Sequence, residues 1–249
     1  MTKPAKNRGI PPSFFAEFYQ TPCGLFTAEQ LTQQIAALWP DLKNLRVLAL
    51  GWPFPYLAPL LGNAESVVVA TPHGTAEDTA LLHMQNCAAA LVEPDVLPFY
   101  ARSFDRILMV HSGEYADSLS AFFEQAEELL RDDGRMISVL PNRSGFWHSG
   151  TDMPFTGGHA LSENRHTALL EDAGFSVEYR NRSLFMPPVK NPLLLRFAAL
   201  YEKVGNIFFP FLCGVHLCEA RKDILSGAAV QPVKRTAIAE NAELGAVAE

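Results

Sequence analysis

Between Asn142 and Ser162 the chain collects residues able to move a proton or hold an anion, namely Arg143, His148, Asp152 and His159, interleaved with Trp147 and Phe155. A guanidinium such as that of Arg143 can clamp a carboxylate or phosphate through two parallel hydrogen bonds. His148, Asp152 and His159 could form an acid–base set, or a hydrogen-bonded clasp that fixes the loop. Their irregular spacing argues against a metal site. A second group lies upstream. His111 is of the residue type suited to taking a proton from a hydroxyl or amine, and Glu93 stands before Pro94 where a strand should end. Each has a plainer reading as well: His111 as a packing residue, Glu93 as a solvated turn acid.

The elements that must position these groups are legible as apolar runs. Leu45–Leu50 is a short buried-strand pattern ending at Gly51, and after Trp52-Pro53-Phe54-Pro55 a helix-compatible stretch runs from Tyr56 to Leu61. Strand, glycine turn and helix open a doubly wound domain, in which ligands sit beyond the carboxyl ends of the strands. Upstream, Ser13–Tyr19 reads as one or two helical turns with an aromatic face of Phe14, Phe15, Phe18 and Tyr19. Thr27–Trp39 reads as a helix, with Thr27 and Gln30 at capping-box spacing and Pro40 as its stop. Downstream, strands are expected at Ser66–Ala70, Ala88–Val92, Phe104–Val110, Arg135–Leu140, Phe175–Ser183 and Phe211–Ala220. Helices are expected at Ala76–Cys87, Leu119–Leu130 (stopped by Asp132-Asp133-Gly134), Ser162–Ala173 and Asn191 to about Ile207. Strands alternating with helices imply a largely parallel sheet covered on both faces.

The 249 residues suffice for one large domain with its own core, expected over 13–225 and including the loop 142–162 and the helical insert 191–207. Residues 1–12 read as a flexible arm and 226–249 as a disordered or loosely helical tail without aromatics. A formal net charge of −7 is the wrong sign for a nucleic-acid surface. Cys23, Cys87, Cys213 and Cys218 form no CxxC pair and read as reduced thiols. No secretory signal and no uninterrupted apolar run of transmembrane length is present, so a cytoplasmic location is expected.

Three segments carry a family resemblance: Leu97-Pro98-Phe99 with Ser103-Phe104-Asp105-Arg106-Ile107, then Leu129-Leu130-Arg131-Asp132-Asp133-Gly134-Arg135, then Asp172-Ala173-Gly174-Phe175. In order and spacing they resemble class I S-adenosylmethionine-dependent methyltransferases of the type 11 kind, over roughly residues 45–221. The resemblance implies a seven-stranded, mostly parallel sheet closed by an antiparallel hairpin of strands six and seven. It implies S-adenosylmethionine over the strand-one turn at Gly51, Trp52 and Pro53, with Thr71 at the position of the ribose-binding acid and Glu93 at the adenine contact. His111 would end strand four beside the methyl group. His111 or His148 is then the candidate base, and Asn142, Arg143, Trp147, Asp152 and His159 form the acceptor loop.

The cofactor motif is degenerate. Ala49 replaces the usual strand-one acid, Thr71 replaces the ribose carboxylate, and Trp52, Pro53 and Pro55 replace small residues. One hydroxyl hydrogen bond in place of two charge-assisted ones costs roughly 1–3 kcal/mol, about tenfold to a hundredfold in affinity. Trp52 could line an adenosyl pocket or fill it. Two functions are therefore open: a methyltransferase acting on a small-molecule acceptor, or a catalytically inactive, methyltransferase-like binding or regulatory subunit. A third, another doubly wound nucleotide binder such as a dehydrogenase, is disfavoured by the single glycine and the missing ribose acid and is not favoured by the Leu97–Arg135 segments. The insert bears on the second. Leu193, Leu194, Leu195, Phe197, Leu200, Tyr201 and Val204 cover most of its circumference, and Phe208, Phe209 and Phe211 extend the apolar surface. Such a face must be buried somewhere: on its own sheet, on a second subunit across 191–211, on another protein, or on a membrane surface.

Overall fold

The computed structural model describes residues 12–72, 86–93, 96–148, 153–156, 158–188 and 196–223. In chain order its elements are α1 (Pro12–Tyr19), α2 (Pro22–Leu38), β1 (Arg46–Gly51), α3 (Ala58–Leu61), β2 (Ser66–Thr71), β3 (Cys87–Leu91), β4 (Phe104–Val110), α4 (Leu119–Leu129), β5 (Leu130–Pro141), α5 (Glu163–Asp172), β6 (Phe175–Ser183), α6 (Ala198–Phe208) and β7 (Val215–Lys222). Seven strands form one sheet in the order β3-β2-β1-β4-β5-β7-β6. β1 to β5 pair in parallel, and β7 runs antiparallel to both β5 and β6. The chain thus has the doubly wound, seven-stranded α/β architecture with its terminal hairpin.

Side chains alternate across a strand, and here both faces are covered. Val47 and Ala49 of β1 turn toward α2, where they join Leu31, Ile35 and Trp39 in one core. Leu48 and Leu50 turn the other way, into a core with Phe122, Phe123 and Ala126 of α4 and Leu169 and Leu170 of α5. Burial on both faces is why β1, after Arg46, is apolar without a break.

Several boundaries differ from the sequence expectation. α2 begins at Pro22, not at Thr27, because the Thr21 side chain caps it by accepting from the Gly24 N–H at 3.1 Å and Pro22 suits the first turn. Thr27 instead donates back to the Cys23 carbonyl at 2.9 Å. The stretch expected as one helix over Tyr56–Leu61 divides into a 3-10 turn at Phe54–Tyr56 and the four-residue α3. The turn expected at Asp132-Asp133-Gly134 is absorbed into β5, which starts at Leu130. A register shift between Phe104 and Arg106 and a left-handed Asp133 (φ 61°) accommodate it. β7 starts at Val215, since Pro210–Leu212 forms a 3-10 turn. Cys87, expected to end a helix, opens β3. Residues 76–85 of that helix, the first residues of the insert (191–195), residues 1–11 of the arm, the last two residues of the expected domain (224–225) and the tail 226–249 lie outside the described residues. No helix among the described residues is long and apolar enough to cross a membrane.

Candidate functional site

The carboxyl ends of β1 and β4 meet at Gly51. Its φ of +91° belongs to the left-handed region, and a Cβ there would come within 2.4 Å of the Val110 carbonyl oxygen and 2.6 Å of that of His111. Glycine is needed here so that the two strand ends can touch, and the Trp52 N–H seals the contact by donating to the Val110 carbonyl at 3.0 Å.

Over this turn lies a stack of rings. The Trp52 indole is 4% exposed. It stacks against Phe15 of α1 (centroids 5.4 Å apart) and Tyr19 of α1 (5.3 Å), and Phe54 meets it edge-on at 5.2 Å. Behind the stack His111 is covered by Phe15 at 4.8 Å and by Phe155 of the long loop at 4.3 Å. Trp147, fully buried, backs Phe155 and Phe18. Offset and edge-to-face ring pairs of this kind contribute about 0.5–1.5 kcal/mol each beyond their buried area.

The polar tips in the stack satisfy one another. The Tyr56 and Tyr19 hydroxyls are 2.5 Å apart, and the Tyr19 hydroxyl is 2.7 Å from His111 Nε2. His111 Nδ1 is 3.2 Å from Glu114 Oε1, and the Ser112 N–H donates to Glu114 Oε2 at 3.1 Å. With a neutral imidazole, one proton arrangement serves every member: Tyr56 donates to Tyr19, Tyr19 to Nε2, and Nδ1–H to the carboxylate. Burial pushes both phenols well above their ordinary pKa; the neighbouring Tyr56 raises Tyr19 further, and Glu114 raises Tyr56 further. Burial, followed by the Glu114 charge, does the same for Tyr115. All three stay neutral donors. His111 itself sits at φ +55°, a strained value for a non-glycine residue that the Glu114 and Tyr19 bonds and the ring packing hold in place. Among the described residues, two buried donors at this end of the sheet, Trp52 Nε1 and Ser112 Oγ, have no hydrogen-bond partner.

Of the residues singled out in the sequence, Gly51, Trp52 and His111 meet in this cluster. Pro53 is buried beside it, and Thr71 is buried at the end of β2, its carbonyl accepting from the Val92 N–H at 3.0 Å. Glu93 is exposed just beyond β3. In the loop, Asn142 is buried and ties the end of β5 to the approach of β7, its amide donating to the carbonyls of Phe211 (2.9 Å) and Cys213 (2.8 Å). Trp147 donates from Nε1 to the Met186 carbonyl at 2.9 Å. His159 holds the loop to the His111–Ala116 segment: its N–H donates to the Glu114 carbonyl at 2.7 Å, and its Nε2 lies 3.0 Å from the Ala116 carbonyl. Arg143 and His148 are exposed and stand apart from the buried cluster, while Asp152 lies outside the described residues. Among the described residues no group of three or more His, Cys, Asp or Glu is placed to hold a metal ion.

Sequence reasoning missed Tyr19, Tyr56 and Glu114 as members of this site. Glu114 had a local signal, three residues after His111. The aromatic face of α1 was visible too, but nothing in the sequence said where it docks.

Compared with known proteins, no family model matches the chain and no curated protein matches it in sequence. Solved structures do. A methyltransferase in complex with the Haloferax volcanii methyltransferase activator Trm112 superimposes with a TM-score of 0.63 at 14% identity, covering 86% of this chain and all of that one (100%). The 1,6-didemethyltoxoflavin-N1-methyltransferase of Burkholderia thailandensis, with 1,6-didemethyltoxoflavin and S-adenosylhomocysteine bound, gives 0.58 at 17% identity, covering 85% and 86%. The [4+2]-cyclase SpnF gives 0.56 at 17% identity, covering 78% and 80%. The fold is therefore the Rossmann-like class I methyltransferase fold. Against the position that fold gives to S-adenosylmethionine, over the strand-one turn, the residues present do not fit. The indole of Trp52 lies there against the rings of Phe15 and Tyr19, and the last residues of β1 and β2 are Gly51 and Thr71, neither of them a carboxylate.

Proposed function

We propose that this chain is a methyltransferase-fold protein working as a binding or regulatory subunit, with its cofactor motif degenerate and its strand-one crevice closed by its own aromatic side chains. The observation that carries this reading is the Phe15–Trp52–Tyr19 stack over Gly51. Supporting it are the threonine in place of the ribose acid and the loop 142–162, whose Asn142, Trp147 and His159 are spent on fastening the loop to the domain. A protein of similar fold forms a complex with a methyltransferase activator, which supports the reading to the extent that this architecture accommodates a protein partner.

The other reading is a small-molecule methyltransferase in which α1 swings aside. Trp52 Nε1 and Ser112 Oγ, buried and without partners among the described residues, favour it, since both would find acceptors on a polar ligand. Calorimetric titration of ligand-stripped protein with S-adenosylmethionine and S-adenosylhomocysteine separates the two. No binding by protein with a cooperative thermal transition supports the subunit reading. Micromolar binding that strengthens in Phe15→Ala, which thins the stack, would overturn it and establish α1 as a lid.

A further inference from the structure

We infer that the surface built by α6 and the turn that follows it docks on an anionic phospholipid membrane, with the neighbouring arginine-bearing cleft receiving lipid headgroups. The inference stands apart from the reading of the crevice, because no residue of the Phe15–Trp52–Tyr19 stack belongs to this surface.

At about 100° per residue, Leu200, Tyr201, Val204, Ile207 and Phe208 fall on one stripe of α6 roughly 120° wide, the width of an apolar face that ordinarily packs on something. Here it faces outward: Ile207 is 72% exposed and Phe208 66%, and Phe197, Phe209 and Phe211 continue the exposed apolar surface at either end. The opposite side of the helix anchors it. A Cβ on Gly205 would meet Phe185 Cβ at 2.4 Å, Ala198 is buried, and the Glu202 carboxylate accepts from the backbone N–H groups of Leu184, Phe185 and Met186. α6 is therefore fixed along one line, with its apolar face projecting as a convex ridge.

Charge selects the occupant. The one acid of α6, Glu202, is turned inward on those N–H groups, so the charges flanking the ridge are Arg196 and Lys203. Going round the helix from the ridge past Lys203 comes Asn206, which opens onto a cleft of about 360 Å³ lined by Glu163, Asn164, Arg180, Asn181, Arg182 and Asn206. Within it Glu163 is engaged by Arg182, and Arg180 is exposed. A protein of net charge −7 has thus set basic and amide side chains beside an exposed aromatic surface. Aromatic and aliphatic side chains on one face with cations at its border suit a helix lying in the plane of a lipid interface, and cations near such a surface are drawn by anionic headgroups. A protein partner would need a groove shaped to a convex ridge, whereas a bilayer needs no matching shape.

Co-sedimentation of the full chain with vesicles of phosphatidylcholine alone, or mixed with phosphatidylglycerol, tests this. The full chain is expected to partition onto the mixed vesicles, less onto phosphatidylcholine, and less again at high salt, where surface charges are screened. Ile207→Glu with Phe208→Glu should lower partitioning at least tenfold on both lipids. Arg180→Gln with Lys203→Gln should remove the preference for phosphatidylglycerol while leaving the thermal transition in place. Protein with an intact transition that stays in the supernatant of mixed vesicles would overturn the proposal. So would a ridge variant that binds as well as the parent, or a dimer in light scattering that the ridge variant dissociates while vesicle binding is absent. That last result would give the ridge to a second copy of the chain.

Discussion

The crevice at the ends of β1 and β4 and the ridge of α6 are built from the same kinds of side chain and end in opposite states. Phe15, Tyr19, Trp52 and Phe155 are buried, whereas Phe197, Tyr201, Phe208 and Phe209 are exposed. In the crevice, walls from α1, the strand ends and the long loop converge, and the hydroxyls and imidazole that come along with the rings are joined from Tyr56 through Tyr19 and His111 to Glu114. The ridge has only the wall beneath it. Aromatic content by itself therefore marks neither a core nor an interface; the number of elements converging on the rings decides, and with it whether a polar tip needs a partner inside the protein. The same contrast weakens the crevice as a cofactor site and strengthens the ridge as a docking surface.

The sharpest way to break the contrast is to hollow out its buried side. Trp52→Ala removes the ring shared by Phe15, Tyr19 and Phe54, and large-to-small changes of this size in a core cost about 3–5 kcal/mol. Urea denaturation followed by circular dichroism should show that loss. A change below about 1 kcal/mol would mean that the stack opens readily, and the crevice would then belong with the ridge as an exposed surface.

Acid probes burial in a second place. His166 is fully buried, its Nε2 2.7 Å from Ser138 Oγ and its Nδ1 3.5 Å from Cys218 Sγ. Burial, with the nearby His216 adding to it, pushes its pKa down to about 3. Burial likewise brings His216 down to about 4, against the opposing pull of Glu163. Unfolding restores both to about 6.5. Between that value and the folded ones the unfolded chain binds more protons than the native chain, so stability is fully present above about pH 6.5. It is lost as pH falls, by up to about 1.4 kcal/mol per pH unit for each histidine. Denaturation midpoints measured from pH 7 to pH 4.5 should fall accordingly, and His166→Gln should flatten the slope by about half. An unchanged slope in that variant would assign the acid sensitivity to carboxylates instead.

How much of this was readable beforehand follows from the range of each interaction. β4 and β6 match the expected spans residue for residue, and β1 and β2 do so within one, because the residues that bound these four strands are local signals in the sequence. The start of α2 was misplaced since two local signals competed. Thr27 and Gln30 have capping-box spacing, but Thr21-Pro22 supplies both a cap and a preorganised first turn six residues earlier. Asp132-Asp133-Gly134 reads as a turn, and the chain does leave its register there, but Leu130 before it already pairs with Phe104 of β4, which only the neighbouring strand can dictate. The site was least legible. Gly51, Trp52 and His111 could be named, but Tyr19 reaches His111 across 92 residues of sequence and Trp39 reaches Glu219 across 180, distances over which periodicity carries no information. The outward face of the insert was visible as an excess of apolar residues; that it stays uncovered by the described part of the domain was not.

The smallest expected effect compares the two sides of α6 itself. Gly205 and Ile207 are two residues apart on one helix, and propensity alone favours Ala over Gly by about 1 kcal/mol in a helix interior. Gly205→Ala should nevertheless destabilise, by about 1–3 kcal/mol, because its Cβ would lie 2.4 Å from Phe185 Cβ, an atom held by the backbone and unable to rotate away. Ile207→Gln on the exposed side should stay within about 0.5 kcal/mol of the parent, as substitutions of exposed residues away from caps and networks do. Thermal melts of the two variants decide the matter in solution without lipid. If Ile207→Gln proves as costly as Gly205→Ala, the ridge is already covered in the isolated protein, and its occupant is part of this chain or a second copy of it. If the two separate as expected, the isolated domain leaves this face to solvent, which is the condition a membrane-docking surface must meet before it finds its membrane.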